Sequence, residues 1–239
     1  MLETTKYLLV GIIVGVFLSL FIEKWIRSFL LQLNKNNFKS TSLKSEKNIQ
    51  PFSKIKFLVI FSIFTAFLSN WRQLSPNFVN DLILVTALII IARIDLKTMY
   101  IEGKIITFEI LVRFFWLVCF EEHAIAKSLA ALFFGAGMLY LVSFFYQTLR
   151  EKQGLGDGDA AVLGLIGFWL GWQDLGIVIL IASISGIIVS GLYFLKQKRK
   201  HLDISILLKT KIPFAPFLCF GGLLVHFFRE INFHRFGLN

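Results

Sequence analysis

Cysteine is almost missing from this sequence: there are 2 in 239 residues, Cys119 and Cys219, far apart and both inside apolar runs. No CxxC pair occurs and no cluster of histidines joins them, so no zinc site is expected and no disulfide is indicated. The 4 histidines, His123, His201, His226 and His234, are scattered near the ends of apolar runs or in loops and suggest no ligand set. Acidic residues are also scarce, 15 against 25 lysines and arginines, for a net charge of +10. In a soluble chain that balance would suggest nucleic acid. Here the basic residues interrupt apolar runs instead of forming one face with interleaved aromatics, so no nucleic-acid partner is expected, and "KQKRK" reads as a topology signal touching anionic lipid. The first apolar run lacks a small-residue cleavage pattern and is followed by a basic stretch, which makes it a retained span and not a signal peptide. No internal repeat is evident.

What the chain has in abundance is apolar surface. Hydrophobic residues make up 56% of it, aromatics 15%, and the mean hydropathy is +0.72. That is too apolar for an ordinary soluble domain and points to a protein whose solvent is the lipid bilayer. A transmembrane helix needs roughly 20 mostly apolar residues. Eight candidates centre on 7–22, 57–68, 82–92, 105–120, 128–148, 160–173, 175–195 and 212–228. The expected fold is an all-α membrane protein, a polytopic bundle of about eight transmembrane helices. The third and sixth runs are short. With eight spans alternating direction, 19 basic residues fall on one side and only Lys6, Arg72, Arg229 and Arg235 on the other, with Arg113 and Lys127 at intramembrane or boundary positions. Lysine and arginine concentrate in cytoplasmic loops, so both termini are expected to be external. The polar segment 34–53, "NKNNFKSTSLKSEKNIQPFS", has no apolar periodicity and reads as a mobile cytoplasmic loop.

The acidic residues near the membrane can be taken one at a time. Asp95 lies at the inner end of the third span, and Asp157 and Asp159 at the inner start of the sixth. Between Asp95 and Asp159 the chain crosses twice, so both carboxylates return to the cytoplasmic face. Two carboxylates close together share a proton, one then acting as base toward water while the other donates to a scissile carbonyl. Gly154, Gly156 and Gly158 fit such a site by permitting positive φ and close approach of a substrate strand. Each motif alone is more often structural: glycine-rich turns precede many helices, and aspartates sit at helix ends because those ends are wet. The pairing on one face is what raises it above that reading. Glu109 and Arg113, spaced i, i+4 in the fourth span, are expected to form a neutralised structural pair. Trp71, Trp172 and Tyr193 near span ends read as interfacial anchors.

Two stretches, "IDLKTMYIEGKIITF" and "GLGDGDAAVLGLIGFWLGW", resemble the aspartate motifs of the type IV prepilin peptidases, GxGD-type intramembrane aspartic proteases. "VGIIVGVFLSLFIEKW" is similar to that family's N-terminal pattern, and "KIPFAPFLCFGGLL" to its late Pro-Phe-Gly-Pro-Phe-Leu stretch. The resemblance implies that Asp95 and Asp159 are catalytic, with Gly156, Asp157 and Gly158 completing the loop or substrate-binding motif and Asp157 at its variable position. It implies a cytoplasmic-membrane endopeptidase that removes a basic leader from type IV prepilins or pseudopilins. Residues 57–239 would form the catalytic domain and 1–56 a degenerate N-terminal region. The chain departs from the family pattern at Val16, Ser19, Ile101, Glu102, Gly103, Ala161 and Ala215. The largest departure is the first cytoplasmic loop, which lacks the paired CxxC motifs that many members carry in a region associated with N-methylation. No cofactor is therefore expected, S-adenosylmethionine entering only if methyltransferase activity is retained. The alternatives are a small transporter or channel with a proton or cation path through Asp95, Asp157, Asp159 and Glu109, and an inactive assembly scaffold.

Overall fold

A computed structural model describes residues 2–35, 54–72, 75–150, 156–198 and 212–236. Among them there is no strand, and eight helices follow in order: α1 (Leu2–Lys35), α2 (Lys54–Arg72), α3 (Pro76–Thr98), α4 (Gly103–Phe120), α5 (Ile125–Arg150), α6 (Asp157–Leu170), α7 (Leu175–Lys198) and α8 (Ala215–Phe236). Each expected span falls on one of them. The ends differ where local chemistry decides: α6 stops at Leu170 because Gly171 takes φ +93, and α8 starts at Ala215. Pro76 opens α3 at the position where a missing N–H costs nothing. α1 continues through Lys35, two residues into the expected loop, while the rest of that loop and Gly154 lie outside the described residues. Thr4–Phe29, Glu122–Leu149 and Leu175–Leu195 are long and apolar enough to cross a membrane, and Phe57–Trp71, Gly158–Leu170 and Ala215–Arg229 are shorter apolar helices. The chain is an all-α membrane protein.

Two compact units divide the chain, Met1–Thr86 and Ala87–Asn239, with the boundary inside α3. In the first, α1 and α2 approach closely through small residues. A Cβ placed on Gly11 would lie 2.6 Å from the Ala66 Cα, and one on Gly15 would lie 2.7 Å from the Ser62 Cα. At that separation hydroxyls reach across: Thr65 Oγ1 donates to the Gly11 carbonyl at 2.9 Å and Ser69 Oγ to the Tyr7 carbonyl at 2.7 Å. Small residues and interhelical hydrogen bonds hold helices together where lipid removes the hydrophobic drive between them.

The second unit is built around α6, which packs against α4, α5, α7 and α8. All residues from Val162 to Leu170 are buried. At 14 residues α6 is ~21 Å long, well under the ~30 Å of a hydrocarbon core. Its length is tolerable because its neighbours, not lipid, surround it. Backbone contact makes that enclosure tight: a Cβ on Gly135 of α5 would lie 2.7 Å from the Leu163 carbonyl oxygen, and one on Gly167 would lie 2.5 Å from that of Ala131. The outer helices show the opposite character, with Phe133 of α5 71% exposed and Ile187 of α7 72% exposed. At the far end of α6, Arg229 of α8 donates to the Leu170 carbonyl at 2.6 Å and to Asp174 at 3.2 Å, so the helix's last carbonyls face a cation.

Candidate active site

Three helix ends converge around two carboxylates. Asp95 lies in the last turn of α3 and Asp159 is the third residue of α6; they are 4% and 8% exposed. They are close enough for the charge of one to act on the other, and the backbone N–H of Ala215, first residue of α8, donates to both. The sequence explains why that amide is available. Pro216 has no N–H, and the amides of Phe217 and Leu218 already bond to the Phe214 carbonyl at 3.0 and 3.2 Å. Ala215 thus carries the open donor of this helix end. The start of α6 contributes a second positive helix terminus to the same place, a setting that favours negative charge. Oδ2 of Asp95 is buried and has no hydrogen-bond partner in the protein.

The link from α3 to α6 is equally local. The Met99 amide bonds back to the Asp95 carbonyl at 2.8 Å, and Met99 takes φ +51, a left-handed conformation that ends the helix. Thr98 Oγ1 accepts from the Tyr100 amide at 3.2 Å and fixes the turn. The chain then lays Ile101 against Gly158, where an added Cβ would lie 2.8 Å from the Ile101 Cβ. Asp159 follows immediately, and its own amide bonds to the Gly156 carbonyl at 3.0 Å.

The glycines therefore act differently from the sequence expectation of positive φ. Gly156 is the N-cap residue of α6 with φ −75 and ψ 139, which other residues adopt without strain, and Gly158 is helical. What Gly158 supplies is room for Ile101. Asp157 and Gly158 lie in the first turn of α6, so the loop part of the motif ends at Gly156.

The expected Glu109–Arg113 pair is also corrected. Both lie on the buried face of α4 with Ile106 and Leu117. Arg113, however, bonds to Glu121 at 3.3 Å and places its guanidinium 4.7 Å from the centre of the Trp169 ring, while Trp116 Nε1 donates to the same Glu121 at 3.3 Å. Glu121 lies just beyond the end of α4 with its side chain 36% exposed, so pairing there costs less desolvation than pairing with Glu109 at 3% exposure. Glu109 Oε1 is buried without a hydrogen-bond partner. Among the described residues, no three His, Cys, Asp or Glu side chains group as a metal site.

Sequence reasoning placed Asp95 and Asp159 but not the residues that join them. The Ala215 amide carries no side-chain signature, and Ile101 entered only as a departure from a motif. Cys219, 2% exposed in α8, faces both carboxylates and was read only as a residue in an apolar run.

The sequence profile of the Type IV leader peptidase family matches residues 82–191. A prepilin leader peptidase/N-methyltransferase of Legionella pneumophila is 39% identical over 92 residues, covering 38% of this chain and 30% of that protein. One from Burkholderia pseudomallei is 33% identical over 150 residues, 61% of this chain and 45% of the relative. One from Pseudomonas aeruginosa is 33% identical over 112 residues, 45% and 36% respectively. Each match spans less than half of the relative's length. No solved structure matches the chain. With its apolar helices and these relatives, it is a multi-pass protein of the inner membrane. The segment 82–191, which contains both Asp95 and Asp159, belongs to the type IV leader peptidase family.

Proposed function

We propose that the chain is an intramembrane aspartic endopeptidase that removes the basic leader of type IV prepilins or pseudopilins, with Asp95 and Asp159 as its catalytic pair. The observation that carries this reading is the meeting of the two carboxylates on one backbone amide at three helix ends. In the reaction, the ionised carboxylate takes a proton from water as its oxygen adds to the scissile carbonyl carbon, while the protonated carboxyl donates to the carbonyl oxygen. Collapse of the tetrahedral intermediate breaks the C–N bond, and the leaving amine takes its proton from the carboxyl that received one from water. The family match favours hydrolysis over a cation path. Coexpression with a type IV prepilin tests it: a shift to the mature mobility that requires Asp95 and Asp159 is expected, and an unshifted precursor contradicts it.

The proposed topology has both termini external and the aspartate pair at the cytoplasmic face, where a basic leader would meet it. Support comes from the 19 basic residues on one side against 4 on the other and from the eight helices among the described residues. Cysteines introduced between 36 and 53 should resist an impermeant thiol reagent applied outside intact cells. Labelling there would reverse the orientation and move the pair to the wrong face.

The curated relatives carry N-methyltransferase in their names. In this chain the segment between α1 and α2 contains no cysteine, so methylation of the new N-terminus is proposed to be weak or absent. Mass spectrometry of the mature pilin should show an unmodified amine when this chain is the sole processing enzyme. Efficient methylation would show that the missing cysteines are dispensable.

A further inference from the structure

We propose that Cys219 is a positioning residue for the aspartate pair, its thiol donating a hydrogen bond to Asp95 and holding that carboxylate in its reactive orientation. The proposal rests on the peptidase reading for its kinetic consequence but not for its geometry. Asp95 is 4% exposed, and its Oδ2 lacks a partner in the protein. A buried acceptor without a donor is costly, which makes the nearest available X–H group significant. Cys219 is 2% exposed and lies one helical turn beyond Ala215 on the same face of α8. Its sulfur faces Asp95 and Asp159 together. The Ala215 amide and the Cys219 thiol thus form a two-rung support from one helix: a strong donor shared by both carboxylates, then a weaker donor one turn deeper. The competing arrangement is ordinary for a small polar side chain in a helix, with the thiol donating to its own helix at the Ala215 carbonyl.

The infrared S–H stretch distinguishes the two without requiring catalysis. Cys119→Ser leaves Cys219 as the single thiol in the full chain. In that purified protein the S–H band should lie below that of an unbonded alkyl thiol and rise when Asp95→Ala removes the acceptor. A band unchanged by Asp95→Ala would overturn the proposal and place the thiol on its own helix. Kinetics supply the second arm. Cys219→Ala should lower kcat about tenfold, the value of one modest hydrogen bond, with KM held within about twofold. Cys219→Ser, which restores a donor, should recover most of that loss. An unchanged kcat in Cys219→Ala, or a serine variant no better than alanine, would contradict the positioning role. Absence of cleavage by the unsubstituted chain would instead overturn the peptidase reading, leaving the infrared arm to decide the thiol.

Discussion

Asp95→Asn and Asp159→Asn each reduce leader cleavage by roughly 10²–10⁴-fold, the range that positioned acid–base groups contribute, while the protein still inserts in the membrane. The reason lies in the shared task. An amide neither gives nor takes a proton under these conditions, so one remaining carboxyl group cannot both activate water and protonate the carbonyl. Insertion should survive because Asn keeps the size of Asp and still accepts from the Ala215 amide that both carboxylates meet. Asp157→Asn is the control within the motif: Asp157 opens α6 two residues before Asp159, and substantial activity should remain. The measurement is the ratio of mature to precursor pilin over time, alongside the amount of each variant in isolated membranes. The unsubstituted enzyme should lose activity at both high and low pH, since a pair sharing one proton works only between its two apparent pKa values. An inactive Asp157→Asn beside an active Asp159→Asn would move the chemistry by two residues.

Gly158→Val should be nearly as damaging, although Gly158 has no side chain to contribute. The Ile101 Cβ lies 2.8 Å from where a Cβ on Gly158 would sit, with Ile101 Cδ1 also at 2.8 Å. Relief requires the α3–α4 connection to move away from the first turn of α6, which carries Asp159 away from Asp95. Displacements of ~1 Å at a reacting group cost on the order of 100-fold, and overpacking adds about 1–3 kcal/mol of instability. Ile101→Gly removes the opposing Cβ and should restore part of the activity in the double variant. Gly156→Ala should be mild, because an added Cβ there meets Asp159 Oδ2 at an ordinary 3.5 Å and φ −75 suits alanine. Comparable losses in Gly156→Ala and Gly158→Val would show that backbone freedom, and not room for Ile101, governs the motif.

The helical bundle was legible because uncharged runs report lipid directly, and the parity of crossings put Asp95 and Asp159 on one side before any coordinates. α6 was legible only as a short run: its 14 residues make sense once α4, α5, α7 and α8 are seen to enclose it. Arg113 was assigned to Glu109 by helical spacing alone. Spacing says which side chains are adjacent but not which pairing costs least desolvation, and Glu121 with Trp169 prevails on that criterion. The device that joins the two aspartates was hidden for a different reason. A backbone amide belongs to every residue, so nothing in the letters marks the one on Ala215 as an available donor. Only the two prolines flanking it, Pro213 and Pro216, hint that a helix begins there with its donors unspent.

The central claim is most directly tested with the purified chain in liposomes and a type IV prepilin, by measuring the mass of the released leader. The account predicts a leader released by the unsubstituted chain, and none above background from the Asp95→Asn or Asp159→Asn protein at equal amount and folding. A leader released undiminished by both variants would contradict it, because cleavage would then proceed without the pair that α3, α6 and α8 bring together.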